Sequence, residues 1–323
     1  MEKKQVIVLV SPGYRSLETL DSIRDEGHVH LVDSVEKAQP VIGQAEVILA
    51  WDHALCGLLE ALWPQAESLQ WVQSASAGVE SLLFPEFAES SVVLTNGRGL
   101  YSGVLAEFVI GSMLYFAHNL DRLRSFQMAR VWSRIEASEV RGQILGIVGV
   151  GDVGRAAAKL ARCLDVRLLG CKRNPDKVDE SLQLERCYAP DQLLEMLPDC
   201  DYVLLSVPLN AETRGMIGKE ELEAMKPSSI LINVARGGLV QESVLIEALQ
   251  KGWIRGASLD VFEREPLPAA SSLWEMENVL LSPHSADYTF DLEACAGRLF
   301  VKNFRRYLKG ESLLNIVDKK VGY

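Results

Sequence analysis

The stretch from Ile144 to Arg155 constrains this chain most. Ile144-Leu-Gly-Ile-Val148 is a short apolar run, the pattern of a strand buried on both faces. It breaks into Gly149-Val-Gly151-Asp-Val-Gly154, and the small residues from Ala156 to Ala161 then open a helix. Strand, tight glycine turn and helix N-terminus, in that order, are the context in which G-x-G-x-x-G holds a dinucleotide. Gly149 permits the tight turn. Gly151 has no Cβ to keep a pyrophosphate away, and Gly154 lets the helix close on the strand. The helix start offers unpaired N–H groups and a positive dipole end to the phosphates. Three glycines in a loop also arise by chance, and the flanking strand and helix are what make these specific. Asp152 and Val153, inside the turn, go with the same cofactor site.

Two series of strands flank that motif. Val6–Val10, Val29–Val32, Val47–Ala50, Leu69–Gln73 and Val92–Leu94 alternate with helical patterns over Ser16–Asp25 and His53–Leu62. After the fingerprint strand come Val166–Gly170, Tyr202–Val207, Ile230–Val234, Ala257–Val261 and Val279–Ser282, separated by helical patterns over Leu193–Leu197, Glu220–Met225 and Val244–Gln250. Such alternation predicts α/β units with parallel sheets. A length of 323 residues suits about two of them. A long helical pattern from Val104 to about Met128 marks the crossing between units, and Arg298–Leu308 is a final helix. Its place after the second unit suggests that the chain returns to the first. The expected domains are 1–98 plus 288–323, and 99–287.

Bulk properties exclude several roles. A net charge of −11 argues against nucleic acid or an anionic membrane as the main partner. Six scattered cysteines without a C-x-x-C pair fit reduced thiols better than a disulfide framework or a zinc site, so no metal is expected. The N-terminus lacks the apolar core of a signal peptide, and no apolar run approaches the length of a membrane span. The expected compartment is the cytoplasm.

Ligands of an open α/β sheet bind beyond the carboxyl ends of its strands. Beyond the strands of the second unit stand Lys172 and Arg173, then Pro208, then Arg236, then Glu265, with Asp260 inside the strand before it, then His284-Ser285. An arginine, a carboxylate and a histidine on one rim have a joint use. Reduction of a 2-keto acid needs a cation that holds the carboxylate and polarises the carbonyl, which a guanidinium does bidentately. It needs a proton donor for the new alkoxide, and histidine titrates in the right range. A neighbouring carboxylate orients the ring and favours its charged form. Taken singly, each residue is as well read as a solvated cap or a packing group; the three together, beyond a nucleotide turn, are not.

These residues carry a resemblance to the D-2-hydroxyacid dehydrogenase family, which includes glyoxylate and hydroxypyruvate reductases. It spans nearly the whole chain. Its specific parts are Gly149–Gly154, Asn233-Val-Ala-Arg-Gly-Gly-Leu-Val240, Leu259-Asp-Val-Phe-Glu-Arg-Glu-Pro-Leu267 and Asn278-Val-Leu-Leu-Ser-Pro-His-Ser285. The resemblance implies two Rossmann-like or flavodoxin-like domains with the active-site cleft between them, and a homodimer. It implies that Arg236 holds the substrate, that His284 is general acid and base, and that Glu265 pairs with it. Backbone amides of Ala77, Gly78 and Val79 would bind the substrate carboxylate. Asp260, Val234 and Ala235 would face the nicotinamide, with Val207, Pro208, Arg236, His284 and Ser285 also against the cofactor. The sequence departs from the NAD pattern at one place. An acidic residue is expected about 20 residues past the glycines, on the ribose 2′-OH. Lys172 stands there, with Arg173 next. Two cations attract the 2′-phosphate that an acid would repel, so NADPH is the expected cofactor, and NAD also fits the site. Two other functions are compatible with the fold: a non-catalytic, cofactor-sensing regulator of corepressor type, and formate dehydrogenase, against which Glu265 argues.

Overall fold

Parallel pairing runs through both sheets of this chain, as the crossover alternation of strand and helix requires. The computed structural model describes residues 3–11, 18–52, 55–177 and 179–322. The chain divides into two units, Met1–Tyr101 with Thr289–Tyr323, and Ser102–Tyr288.

The first unit contains β1 (Lys4–Leu9), α1 (Glu18–Asp21), β2 (Gly27–Val32), α2 (Val35–Ala38), β3 (Ala45–Ala50), α3 (Cys56–Leu62), β4 (Trp71–Ser74), α4 (Pro85–Glu89) and β5 (Val93–Thr95). Ser16, Leu17 and His53, where two expected helices begin, lie outside the described residues. The sheet order is β2-β1-β3-β4-β5, the flavodoxin-like arrangement. β1 and β3 lie inside that sheet, which is why Val6–Leu9 and Val47–Leu49 are wholly buried and read as unbroken apolar runs.

The C-terminal segment completes this unit. Its long helix Leu292–Leu308 stacks Phe300 on Trp71 at 5.4 Å between ring centroids. A buried polar chain fastens it. Trp71 Nε1 donates to Thr95 Oγ1 at 2.7 Å, and Thr95 Oγ1 donates to Gln73 Oε1 at 2.9 Å. Asn303 Nδ2 reaches the same Gln73 oxygen at 2.9 Å, while Asn303 Oδ1 accepts from Leu314 N at 2.8 Å. Each buried member has a partner, so the chain fixes helix, strand and tail in one register.

The second unit contains α5 (Ser102–Ala117), α6 (Leu120–Ala129), β6 (Ile144–Val148), α7 (Asp152–Arg162), β7 (Arg167–Cys171), β8 (Arg186–Tyr188), α8 (Leu193–Met196), β9 (Tyr202–Leu205), α9 (Lys219–Ala224), β10 (Ile230–Asn233), α10 (Glu242–Lys251), β11 (Gly256–Leu259) and β12 (Val279–Leu281), and the C-terminal helix of the first unit is α11. The order is β12-β11-β10-β9-β6-β7-β8. The chain leaves β6 in one direction to β8 and then restarts on its other side at β9. The strand order therefore reverses between β6 and β9, where doubly wound sheets bind their ligands.

One expected element is two. The pattern from Val104 to Met128 is broken after Ala117, and α5 and α6 meet at a bend of 61°. Asn119 sits there in the left-handed region at φ 49°, which asparagine tolerates better than most residues. Long-range bonds hold it: Arg255 Nη2 donates to its Oδ1 at 2.8 Å, and its Nδ2 donates to Glu136 O at 2.8 Å. Among the described residues, no single helix is long and apolar enough to cross a membrane.

Candidate active site

The glycine turn lies at the C-terminal end of β6, at the reversal point. Gly149 has φ +103°, and a Cβ there would stand 2.6 Å from Ser206 O. A Cβ on Gly154 would lie 2.3 Å from Gly149 O, so α7 and the turn approach as closely as backbone allows. In front of Gly151 a Cβ would meet nothing within 4 Å, and no side chain caps α7 at this residue. Open space, an uncapped helix N-terminus and a turn that only glycine can make together fit a dinucleotide pyrophosphate. Asp152 and Val153 are the first two residues of α7, Asp152 exposed. Val207 and Pro208 follow β9, half-buried, with Val207 packed against the Gly149 turn. Ser206, which the sequence did not single out, secures the turn by donating to Gly149 O at 2.7 Å.

Lys172 and Arg173 leave the end of β7, both with their charged heads near other groups. Lys172 Nζ donates to Lys177 O at 2.9 Å. Arg173 lies 3.7 Å from Glu212.

The remaining candidates come together through backbone contacts between neighbouring strand ends. Past β10, Ala235 N donates to Asn233 Oδ1 at 3.1 Å and Asn233 Nδ2 to Arg236 O at 3.0 Å, so buried Asn233 shapes the Val234–Arg236 turn. A Cβ on Gly237 would stand 1.9 Å from Phe262 C, so this turn is pressed against the loop that carries Glu265. Glu265 uses both oxygens. Oε1 accepts from Phe262 N at 3.0 Å, and Oε2 lies 2.7 Å from His284 Nδ1. His284 is held in the left-handed region at φ 52° by its N–H, which reaches Asp260 O at 2.8 Å and Ser282 O at 3.0 Å. The buried Asp260 carboxylate then accepts from Ser285 N at 2.9 Å and Ala286 N at 3.0 Å. One oxygen of Asp260 thus holds the two residues that follow the histidine.

In the first unit, the loop after β4 presents backbone donors. Tyr101 OH donates to Ala75 O, Gly97 N to Ser76 O at 2.8 Å, and Asn96 Nδ2 to Ala77 O at 2.7 Å. These bonds occupy the carbonyls of Ala75, Ser76 and Ala77. Among the described residues, the N–H groups of Ala77, Gly78 and Val79 have no hydrogen-bond acceptor. Successive unpaired N–H groups are donors that an anion can use. Among the described residues no group of three or more side chains could hold a metal ion.

The family model for the D-isomer specific 2-hydroxyacid dehydrogenase NAD binding domain matches residues 110–286. The chain belongs to the D-isomer specific 2-hydroxyacid dehydrogenase family. It is 33% identical over 270 residues to a glyoxylate reductase of Thermococcus gammatolerans, covering 80% of this chain and 79% of that protein. It is also 33% identical to a D-3-phosphoglycerate dehydrogenase of Methanocaldococcus jannaschii over 79% of this chain, but spans only 48% of that relative's length. Its fold matches the crystal structure of an NADPH-dependent glyoxylate/hydroxypyruvate reductase from Sinorhizobium meliloti in complex with NADP and sulfate, with TM-score 0.84, 25% identity, and coverage of 99% of this chain and 100% of that one.

Within this dehydrogenase, one group near the histidine escaped the sequence reading. Asp287 is half-buried in the turn after His284. Burial pushes its carboxyl above the usual carboxylate range; Asp260 adds to that push, and His284 and Arg236 oppose it. The only signal for it was its place three residues past the histidine. A carboxyl raised in this way binds its proton more tightly in the folded chain than in the unfolded one. The folded state is therefore favoured in acid, and that advantage is lost as pH rises through the raised range. Asp287→Asn is expected to raise Tm relative to the unsubstituted chain at neutral pH, and by less in acid. An equal shift at both pH values would show that burial does not govern this group.

Proposed function

We propose that this dehydrogenase reduces a small 2-keto acid of the glyoxylate or hydroxypyruvate type to the D-2-hydroxy acid, with NADPH preferred over NADH. The observation that carries the reading is the Glu265–His284 pair at 2.7 Å, whose carboxylate is itself fixed by Phe262 N. A ring bonded to a carboxylate through Nδ1 is locked in one tautomer and orientation, and keeps Nε2 for proton exchange with substrate. The bound dinucleotide supplies the hydride to the keto carbon. Arg236 then holds the carboxylate and polarises the carbonyl, and His284 gives its proton to the carbonyl oxygen, so that one hydride and one proton account for the alcohol. In the reverse direction His284 takes that proton. The N–H groups of Ala77, Gly78 and Val79 are assigned to the substrate carboxylate, and Asp260, Val234, Ala235 and Ser285 to the nicotinamide end of the cofactor.

Cofactor preference rests on Lys172 and Arg173, where an NAD site would carry an acid. We read the chain as a cytoplasmic homodimer. The exposed Met128, Val131 and Trp132 at the end of α6, and just beyond it, support an interface there. The test of function is a panel of 2-keto acids against both cofactors, followed by nicotinamide absorbance. Glyoxylate or hydroxypyruvate should be reduced, with NADPH favoured by about tenfold or more in kcat/KM. A preference for NADH would overturn the cofactor assignment. No turnover of any keto acid, with capture of a partner peptide instead, would make the chain a regulator.

A further inference from the structure

The turn after β9 places a carboxylate beside Arg173, one of the two cations on which NADPH preference rests. Asn210 builds that turn. Its Oδ1 accepts from Glu212 N at 2.9 Å and Thr213 N at 3.0 Å, Thr213 Oγ1 donates to Pro208 O at 2.7 Å, and Arg214 N reaches Asn210 O at 3.0 Å. The backbone carrying Glu212 is therefore fixed. From it Glu212 Oε2 lies 3.7 Å from Arg173 Nη2. β9 and β7 are the two strands on either side of β6, so this pair straddles the strand that ends in the glycine turn. Both side chains are largely exposed, at 54% and 79%, and an exposed pair of this kind adds little stability and exchanges easily. It has another consequence. A ribose 2′-OH can donate to a carboxylate, whereas a 2′-phosphate is repelled by one and must take Arg173 from it.

We propose that Glu212 is a cofactor-selectivity residue, whose carboxylate competes with the 2′-phosphate of the dinucleotide for Arg173 and so lowers the preference for NADPH over NADH. The inference rests on the reading that the Lys172–Arg173 turn receives that phosphate. The acid missing from the end of β7 is then supplied by the turn after β9, and the chain keeps a measurable affinity for NADH.

The test is titration of NADPH and of NADH into the full chain, without substrate, for the unsubstituted protein, Glu212→Gln, Arg173→Gln and the double variant. Removing one negative charge beside a doubly charged group in water is worth about threefold to fivefold. Glu212→Gln should tighten NADPH by that factor and leave NADH unchanged or slightly weaker. The gain should shrink in the Arg173→Gln background. Unchanged NADPH affinity in Glu212→Gln, or equal tightening of both cofactors, overturns the role of Glu212. If that happens while Arg173→Gln weakens NADPH, the cationic turn stands and only Glu212 falls. If Arg173→Gln leaves NADPH binding intact, the 2′-phosphate assignment of Arg173 falls and the Glu212 inference with it.

Discussion

His284→Asn is expected to lower kcat for keto acid reduction by about two to four orders of magnitude, while dinucleotide Kd changes little. That loss corresponds to about 3–5.5 kcal/mol of transition-state stabilisation. Asparagine is the informative replacement because His284 has φ 52°. Alanine at that position adds backbone strain to the loss of the ring, whereas asparagine tolerates the left-handed region. The loop itself should survive. Its anchors are the main-chain bond from His284 N to Asp260 O and the two amides on Asp260 Oδ1, none of which uses the imidazole. Glu265 keeps its bond from Phe262 N. The variant therefore removes the proton donor and little else. Single-turnover rates and cofactor titration check it together. A parallel loss of cofactor binding would make His284 a structural residue, and retained turnover would remove it from the chemistry.

What the sequence makes legible follows from how local its cause is. Each glycine of the turn has a steric reason within a few ångströms: Ser206 O behind Gly149, Gly149 O behind Gly154, open space before Gly151. Such demands leave a mark in the sequence itself. The buried strands are legible because both of their faces are covered, so that Val6–Leu9 and Leu145–Val148 are apolar without alternation. β8 is not legible, since Arg186-Cys-Tyr188 is three residues on a sheet edge and one of them is exposed. The break at Asn119 is not legible, since Arg255, which holds the asparagine side chain, stands far along the chain. The same holds around the site. Residue types at strand ends point to Arg236, Glu265 and His284, but the grip of Asp260 on the histidine loop and the Glu212–Arg173 pair exist only once separate strands lie side by side. The small residues Ser74–Val79 read as a turn. That its carbonyls are taken by Tyr101, Gly97 and Asn96, leaving three amides without acceptors among the described residues, is a tertiary fact.

Arg236→Lys should cut kcat/KM for the keto acid by about tenfold to a hundredfold, with cofactor affinity and Tm little affected. The charge is conserved, so the expected loss comes from geometry. A guanidinium offers two parallel donors to a carboxylate and a keto oxygen, and an ammonium offers a point charge. Each charge-assisted bond lost is worth about 1.5–3 kcal/mol, which sets the range. The backbone at this position does not depend on the side chain. Asn233 holds Arg236 O and Ala235 N, and Gly237 is wedged against the Phe262–Glu263 backbone, where a Cβ would stand 1.9 Å from Phe262 C. Nη1 of the head group donates to Ala235 O at 2.7 Å, a bond that a lysine ammonium can also make. Steady-state kinetics with a keto acid separate the two duties assigned to the residue. A rise in KM with kcat preserved means that Arg236 anchors the carboxylate without polarising the carbonyl; a fall in kcat shows that it acts on the reacting bond. Unchanged kinetics would remove Arg236 from the substrate altogether, and the proposed reduction would then lack its anchor in the second unit.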